Sequence, residues 1–158
     1  PNHPFGSVIL GALAPLGFQD RQVVSEAVMS LCIAGKIANS ANARNLSLVR
    51  SIFAGPVLAV ASPPPSRMLE TALDSDLPRQ YGDQLPRFLT WYYREQLSAV
   101  AAAAQAADAQ LLAPPDEVFS AGFLPDAYKH KTTWHANPAY GGMMMRRAIA
   151  VLGGAAPA

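Results

Sequence analysis

Residues 130 to 142, HKTTWHANPAYGG, concentrate the groups in this chain that could do chemistry. They hold two of its three histidines, together with a tryptophan, an asparagine and a tyrosine. His135 is the strongest candidate for a general base. An imidazole works in that role when it meets a nucleophile and a third group fixes its tautomer. Two nearby residues compete to be that third group. The Thr132 hydroxyl can accept from an imidazole N–H but stabilises an imidazolium poorly. It would leave His135 working in a Ser-His dyad, or with a carboxylate from elsewhere. Asp126 can carry the charge, but following Pro125 it also suits a turn. The plainer reading of His135 is a loop histidine bonded to backbone. His130 lies close enough in sequence to share a metal ion with His135. No third ligand is apparent, and Lys129 and Lys131 disfavour a cation, so a solvated basic patch is expected and no metal site.

The elements that would position these groups follow from hydrophobic period and from proline and glycine punctuation. Residues 7–14 form a short apolar run. A helix is expected from about Gln22 to Ile37, with Val24, Val28, Leu31 and Cys32 on its inner face. After the polar patch Asn39-Ser40-Ala41-Asn42, a second helix over 43–53 should bury Leu46, Val49, Ile52 and Phe53. Gly55-Pro56 stops it. The apolar run 56–62 reads as a strand buried on both faces, and Pro63-Pro64-Pro65 ends it. One helical turn is expected near Met68–Leu73. A long helix over 83–107 should face inward through Leu85, Phe88, Leu89, Tyr92, Gln96, Ala99 and Ala103. The consecutive aromatics Trp91-Tyr92-Tyr93 cover more than one face, so Trp91 or Tyr93 should touch a second surface. Residues 109–113 read as the next strand, which makes a right-handed parallel strand–helix–strand crossover. A loop is expected over 114–136. Asn137 and Pro138 then open a last helix to about Leu152 as cap and first residue. At most two of Met143, Met144 and Met145 can be core, and residues 153–158 read as a frayed tail. In a doubly wound fold the loops after strand carboxyl ends line the site, which brings in Ser62 and Ser66.

Composition bounds the function. The chain has 158 residues, is 51% hydrophobic and 15% charged, and suits one globular domain. Its net charge is +1, with no basic run longer than Arg146-Arg147, which argues against nucleic acid as the main partner. No apolar stretch has the length of a membrane span. Cys32 is the one cysteine. It permits no internal disulfide, and its Met-Ser-Leu-Cys-Ile setting favours a buried small apolar residue over a nucleophile. The start, Pro1-Asn2-His3-Pro4, has no signal-peptide pattern and points to a processed or truncated N-terminus. That pattern and the single cysteine favour a cytoplasmic setting.

Taken in order, the Pro-Val-Leu-Ala-Val-Ala-Ser-Pro-Pro-Pro run, the long helix with Trp91 and Tyr92, Gly122-Phe123-Leu124 and the block His135-Ala-Asn-Pro-Ala-Tyr-Gly141 resemble the C-terminal part of bacterial SGNH/GDSL-type hydrolases. The resemblance spans roughly residues 20–152, and only its last block is specific. It implies a three-layer α/β/α domain with a parallel sheet, whole or only its C-terminal portion, and a Ser-His-Asp triad helped by an oxyanion Gly and Asn. It makes His135 the base. Thr132 stands where the family carries its acid. No Gly-Asp-Ser nucleophile block is present, Gly6-Ser7 being the nearest match. Asn2-His3 resembles a remnant of the block that supplies the oxyanion Asn.

Two functions follow. One is hydrolysis of a sugar, lipid or small acyl ester through His135, with Thr132 or Asp126 orienting it and Ser62 and Asn2 contacting substrate, without cofactor. The other is a catalytically inactive interaction or structural subunit that kept the scaffold. A partial sheet leaves an unpaired edge, for which a partner chain or a homo-oligomer is expected.

Overall fold

The computed structural model describes residues 26–67, 82–119, 122–131 and 135–154. The apolar run 7–14, the expected turn at 68–73, Asn2, Thr132 and the end of the tail lie outside the described residues. Those described contain five α-helices, two short 3₁₀ turns and two three-residue strands.

Helix α1 is Glu26–Ala38, with Glu26 in its first turn and Lys36 in its last, both suiting the helix dipole. Its inner face is turned from the expected one. Ile33 is buried, Ile37 packs beside it, and Leu31 is 72% exposed. Ile33 and Ile37 are one helical turn apart, and that pair meets Phe88, Trp91, Tyr92 and Ala99 of the long helix. Cys32 is half-buried and free.

Helix α2, Ala41–Ile52, is capped by Ser40, whose Oγ accepts from the Ala43 N–H at 3.1 Å. The polar patch therefore does separate the two helices. The expected buried face of α2 is not buried. None of its residues is, and Val49, Ile52 and Phe53 are 43%, 78% and 51% exposed.

Strand β1, Leu58–Val60, lies parallel to β2, Gln110–Leu112, in the register Leu58–Gln110, Ala59–Leu111, Val60–Leu112. Helix α3, Leu85–Ala106, connects them after a 3₁₀ turn at Gly82–Gln84. The crossover unit read from the sequence is therefore present. The inner stripe of α3 runs through Leu85, Leu89, Tyr92, Ala99 and Ala104, with Phe88, Gln96 and Ala103 half-buried alongside. Its C-terminus closes in a Schellman turn: Asp108 N–H donates to Gln105 O at 3.0 Å and Ala109 N–H to Ala104 O at 2.9 Å. Asp108 takes the left-handed conformation there, φ 48°, which aspartate tolerates better than most residues. Its carboxylate meets Arg50 Nε at 3.2 Å, tying the end of α2 to this turn.

After β2 come α4, Asp116–Phe119, and a 3₁₀ turn at Asp126–Tyr128, where a loop was expected. Between them Leu124 N–H donates to Pro65 O at 2.9 Å. This binds the segment after β1 to the segment after β2. Gly122 adopts φ 77°, and a side chain there would collide with Thr90. Helix α5, Pro138–Leu152, is the last described element. Its inner face places Tyr140 and Met144 against Leu112, Val118 and Leu124, with Met143 half-buried beside them and Met145 62% exposed.

The described residues do not form the expected three-layer α/β/α fold. They are mostly helical, around a two-stranded parallel pair. The prolines explain part of the difference. Runs that read as strands of five to seven residues pair over only three, because Pro63–Pro65 and Pro114-Pro115 follow and cannot donate to a ladder. A pair this narrow offers little surface to helices on both faces, so α1 packs chiefly on α3. No helix among the described residues is long and apolar enough to cross a membrane.

Candidate functional site

The histidine-bearing segment folds into a small knot at the start of α5. Lys129 and Ala136 form an antiparallel bridge. That bridge sets His130 opposite His135, with ring centroids 6.1 Å apart and the rings edge to face. Both histidines are exposed. Asn137 does three structural jobs. Its Oδ1 accepts from Tyr140 N–H at 3.2 Å, its Nδ2 donates to Ala127 O at 2.8 Å, and its backbone N–H donates to Tyr128 O at 2.8 Å. The Asp126 carboxylate meets Lys129 Nζ at 2.7 Å and is 85% exposed. Asp126 is therefore charge-paired with a lysine on its own turn. Among the described residues no group of three or more His, Cys, Asp or Glu could hold a metal ion.

Ser62 lies two residues past the end of β1, as expected for the loop at a strand's carboxyl end. Its backbone carbonyl accepts from the Tyr93 hydroxyl at 2.6 Å, while the residue itself is exposed. Tyr93 is thus the aromatic that reaches a second surface, while Phe88, Trp91 and Tyr92 face α1. Ser66 is 2% exposed and so is enclosed by protein.

Ser62 and Tyr93 stand at one end of a groove of about 500 Å³ between α2, β1 and α3. Its apolar walls are Leu46 and Val49 of α2 and Leu97 and Val100 of α3, with Val60 of β1. Asn42, Asn45 and Gln96 add amides, each able to donate and accept. The outer edge of β1 borders this space. In a parallel ladder one residue sends both backbone groups to its neighbour strand and the next sends both away. Val57 C=O accepts from Gln110 N–H at 2.9 Å, and Ala61 N–H donates to Leu112 O at 3.1 Å. With this register Ala59 also points to β2, and the N–H and C=O of Leu58 and Val60 point outward. Val60 is 56% exposed.

A third polar group lies deeper. Tyr140 is 6% exposed, and its hydroxyl has no hydrogen-bond partner among the described residues. The same holds for the buried Nε and Nη1 of Arg147, two helical turns further along α5. Burial pushes the Tyr140 phenol up to about 12, and the Arg147 guanidinium partly opposes that shift. Tyr93 is raised by burial first and by Tyr140 second, so the two phenols sit within electrostatic reach of each other. Tyr92 is pushed up to about 12 by burial.

The structure thus gathers His135, His130 and Asp126 in one local knot, and sets Ser62 on the groove. The sequence reading missed both the groove and Arg147. For Arg147 a signal existed: an arginine seven residues after Tyr140 falls on the inner stripe of an otherwise apolar helix. For the groove it did not, since it depends on α2 standing off β1. The chain matches no family model, no curated protein and no solved structure.

Proposed function

We propose that this chain is a non-catalytic interaction domain that receives an extended segment of a partner polypeptide along the edge of β1 that no described strand pairs with. The observation that carries this reading is Val60, whose backbone N–H and C=O turn away from β2 beside a groove with apolar walls. An exposed edge offers backbone donors and acceptors at the spacing a further strand requires. Side chains of an added strand alternate between faces. Those turned inward would meet Leu46, Val49, Leu97 and Val100, and the amides of Asn42, Asn45 and Gln96 can bond peptide groups of either polarity.

Hydrolysis through His135, which the resemblance implies, draws less support. The Asp126 carboxylate is engaged by Lys129, and Asn137 is committed to capping and bracing. Thr132 and Asn2 lie outside the described residues.

The test is selection of binders from a displayed library of short random peptides, on wild type, Val60→Pro and His135→Ala. Proline at 60 removes an N–H that points away from β2, so it blocks the edge while sparing the internal ladder. The expected binders are extended and apolar at alternate positions, are kept by His135→Ala and are lost by at least tenfold on Val60→Pro, with that variant's melting midpoint checked alongside. Binding indifferent to Val60→Pro sinks the proposal. So does turnover of an activated acetyl ester by wild type that His135→Ala abolishes.

A further inference from the structure

A guanidinium inside a protein keeps its charge, because arginine does not give up its proton there. A buried charge without a counter-charge costs several kcal/mol, so buried arginines are almost always paired. Arg147 departs from that pattern. Its Nε and Nη1 are shut off from solvent on the inner side of α5, and no described protein group accepts from them. No carboxylate among the described residues forms an ion pair with it; Asp108 pairs with Arg50 and Asp126 with Lys129.

The neighbouring group points the same way. Tyr140 lies on the same helical face, packed against Leu112 at the end of β2 and edge-on to Tyr128 at 6.1 Å between ring centroids. Its hydroxyl is a neutral donor at neutral pH and is likewise unmatched. Two buried donors of one helix face, one of them charged, therefore lack an acceptor. Tyr140 lies beside Leu112, the last residue of β2, and from there α5 runs back along the strand pair, so that Val151 and Leu152 border Leu58 and Gln110.

We propose that Arg147 and Tyr140 together receive one small oxyanion, a carboxylate or a phosphate group. The anion supplies the counter-charge for the guanidinium and accepts from the phenol. The Arg147 side chain is long and its residue half-buried, so a rotation of the guanidinium admits the ion and closes over it. The site is separate from the groove along β1 and stands whether or not that groove binds a peptide.

The experiment uses the full chain, with inorganic phosphate and acetate as separate probes at constant ionic strength. The readouts are calorimetric binding and the melting midpoint. The expected result is a saturable rise in midpoint with one probe or both, the more effective one identifying the class of anion. Arg147→Met abolishes that rise, Tyr140→Phe weakens apparent affinity about tenfold, and Arg146→Met, at the exposed neighbour, leaves it intact. Arg147→Met should fold, since replacing a buried ion by an apolar residue of similar size is often neutral or stabilising. If it does not fold, Tyr140→Phe decides, because it keeps the ring packing and removes only the hydroxyl. An equal rise in wild type and the tested variant would reveal a general salt effect and overturn the proposal. So would the absence of a saturable rise with both probes.

Discussion

The knot built from residues 126–131 and 135–137 and the groove along β1 differ in how they use polar groups. In the knot, polar side chains are spent on holding the chain in place. Asn137 caps α5 and ties it to Ala127, and Asp126 takes up Lys129. In the groove the backbone of Val60 faces away from β2 beside the apolar side chains of Leu46, Val49, Leu97 and Val100. A stretch dense in reactive residue types has become a structural fastening, while a bland apolar run of alanine, valine and leucine has become the open surface. Residue types tell what a segment could do. The partners already taken tell what remains to be done.

Changes in the two regions should therefore separate stability from binding. Among single substitutions, the largest stability loss is expected at the knot. Asn137→Ala removes a helix cap and a second side-chain bond, together about 2 kcal/mol. A urea midpoint unchanged within error would mean the fastening is not needed. Alkaline pH acts on the buried rings as a group. Burial pushes the Tyr92 and Tyr140 phenols up from their ordinary 10 to about 12 in the folded state, and Tyr93 is raised in the same direction. Above pH 10 the unfolded state therefore holds fewer protons, and stability falls as pH rises toward about 12, by roughly 1.4 kcal/mol per pH unit for each group. Below pH 10 these groups produce no slope. Denaturation midpoints at stepped pH check this, and a flat profile across that window contradicts the burial of the three rings.

Smaller effects sharpen the contrast. Tyr93→Phe leaves the Ser62 carbonyl without its donor and should cost about 1 kcal/mol. It should also loosen the Ser62 end of the groove, seen as faster amide exchange there. Asp126→Asn removes an exposed ion pair and should change stability by less than about 0.5 kcal/mol. A larger loss would show Asp126 to be more than a partner for Lys129.

Part of this architecture was legible in the sequence. The crossover from β1 through α3 to β2 followed from two apolar runs that prolines close, with a long helical period between them. Asn137-Pro138 announced the last helix, because a capping amide and a proline free of an N–H suit those two positions. The inner stripe of α3 was readable because a 22-residue helix repeats its period often enough to define a face. The face of α1 was not, since an apolar residue on a short helix reads the same whether it meets α3 or water. Ile33 rather than Leu31 faces inward because of where α3 lies. The layer architecture was misjudged for a related reason. A run that is apolar throughout looks like a strand buried on both faces, and nothing in it shows that only three residues will pair. Within the candidate site, composition drew attention to His135. The outward edge of β1 depends on register alone, which no residue type marks.

That edge is also the most direct test of the account. Amide hydrogen exchange resolved by residue should separate alternate positions of one short strand. The prediction is slow exchange at Ala59 and Ala61, whose N–H groups are held by β2, and fast exchange at Leu58 and Val60, with those two slowing on addition of a selected peptide. Equal protection at all four positions in the free chain would mean that the edge is already covered, and would contradict the proposed function.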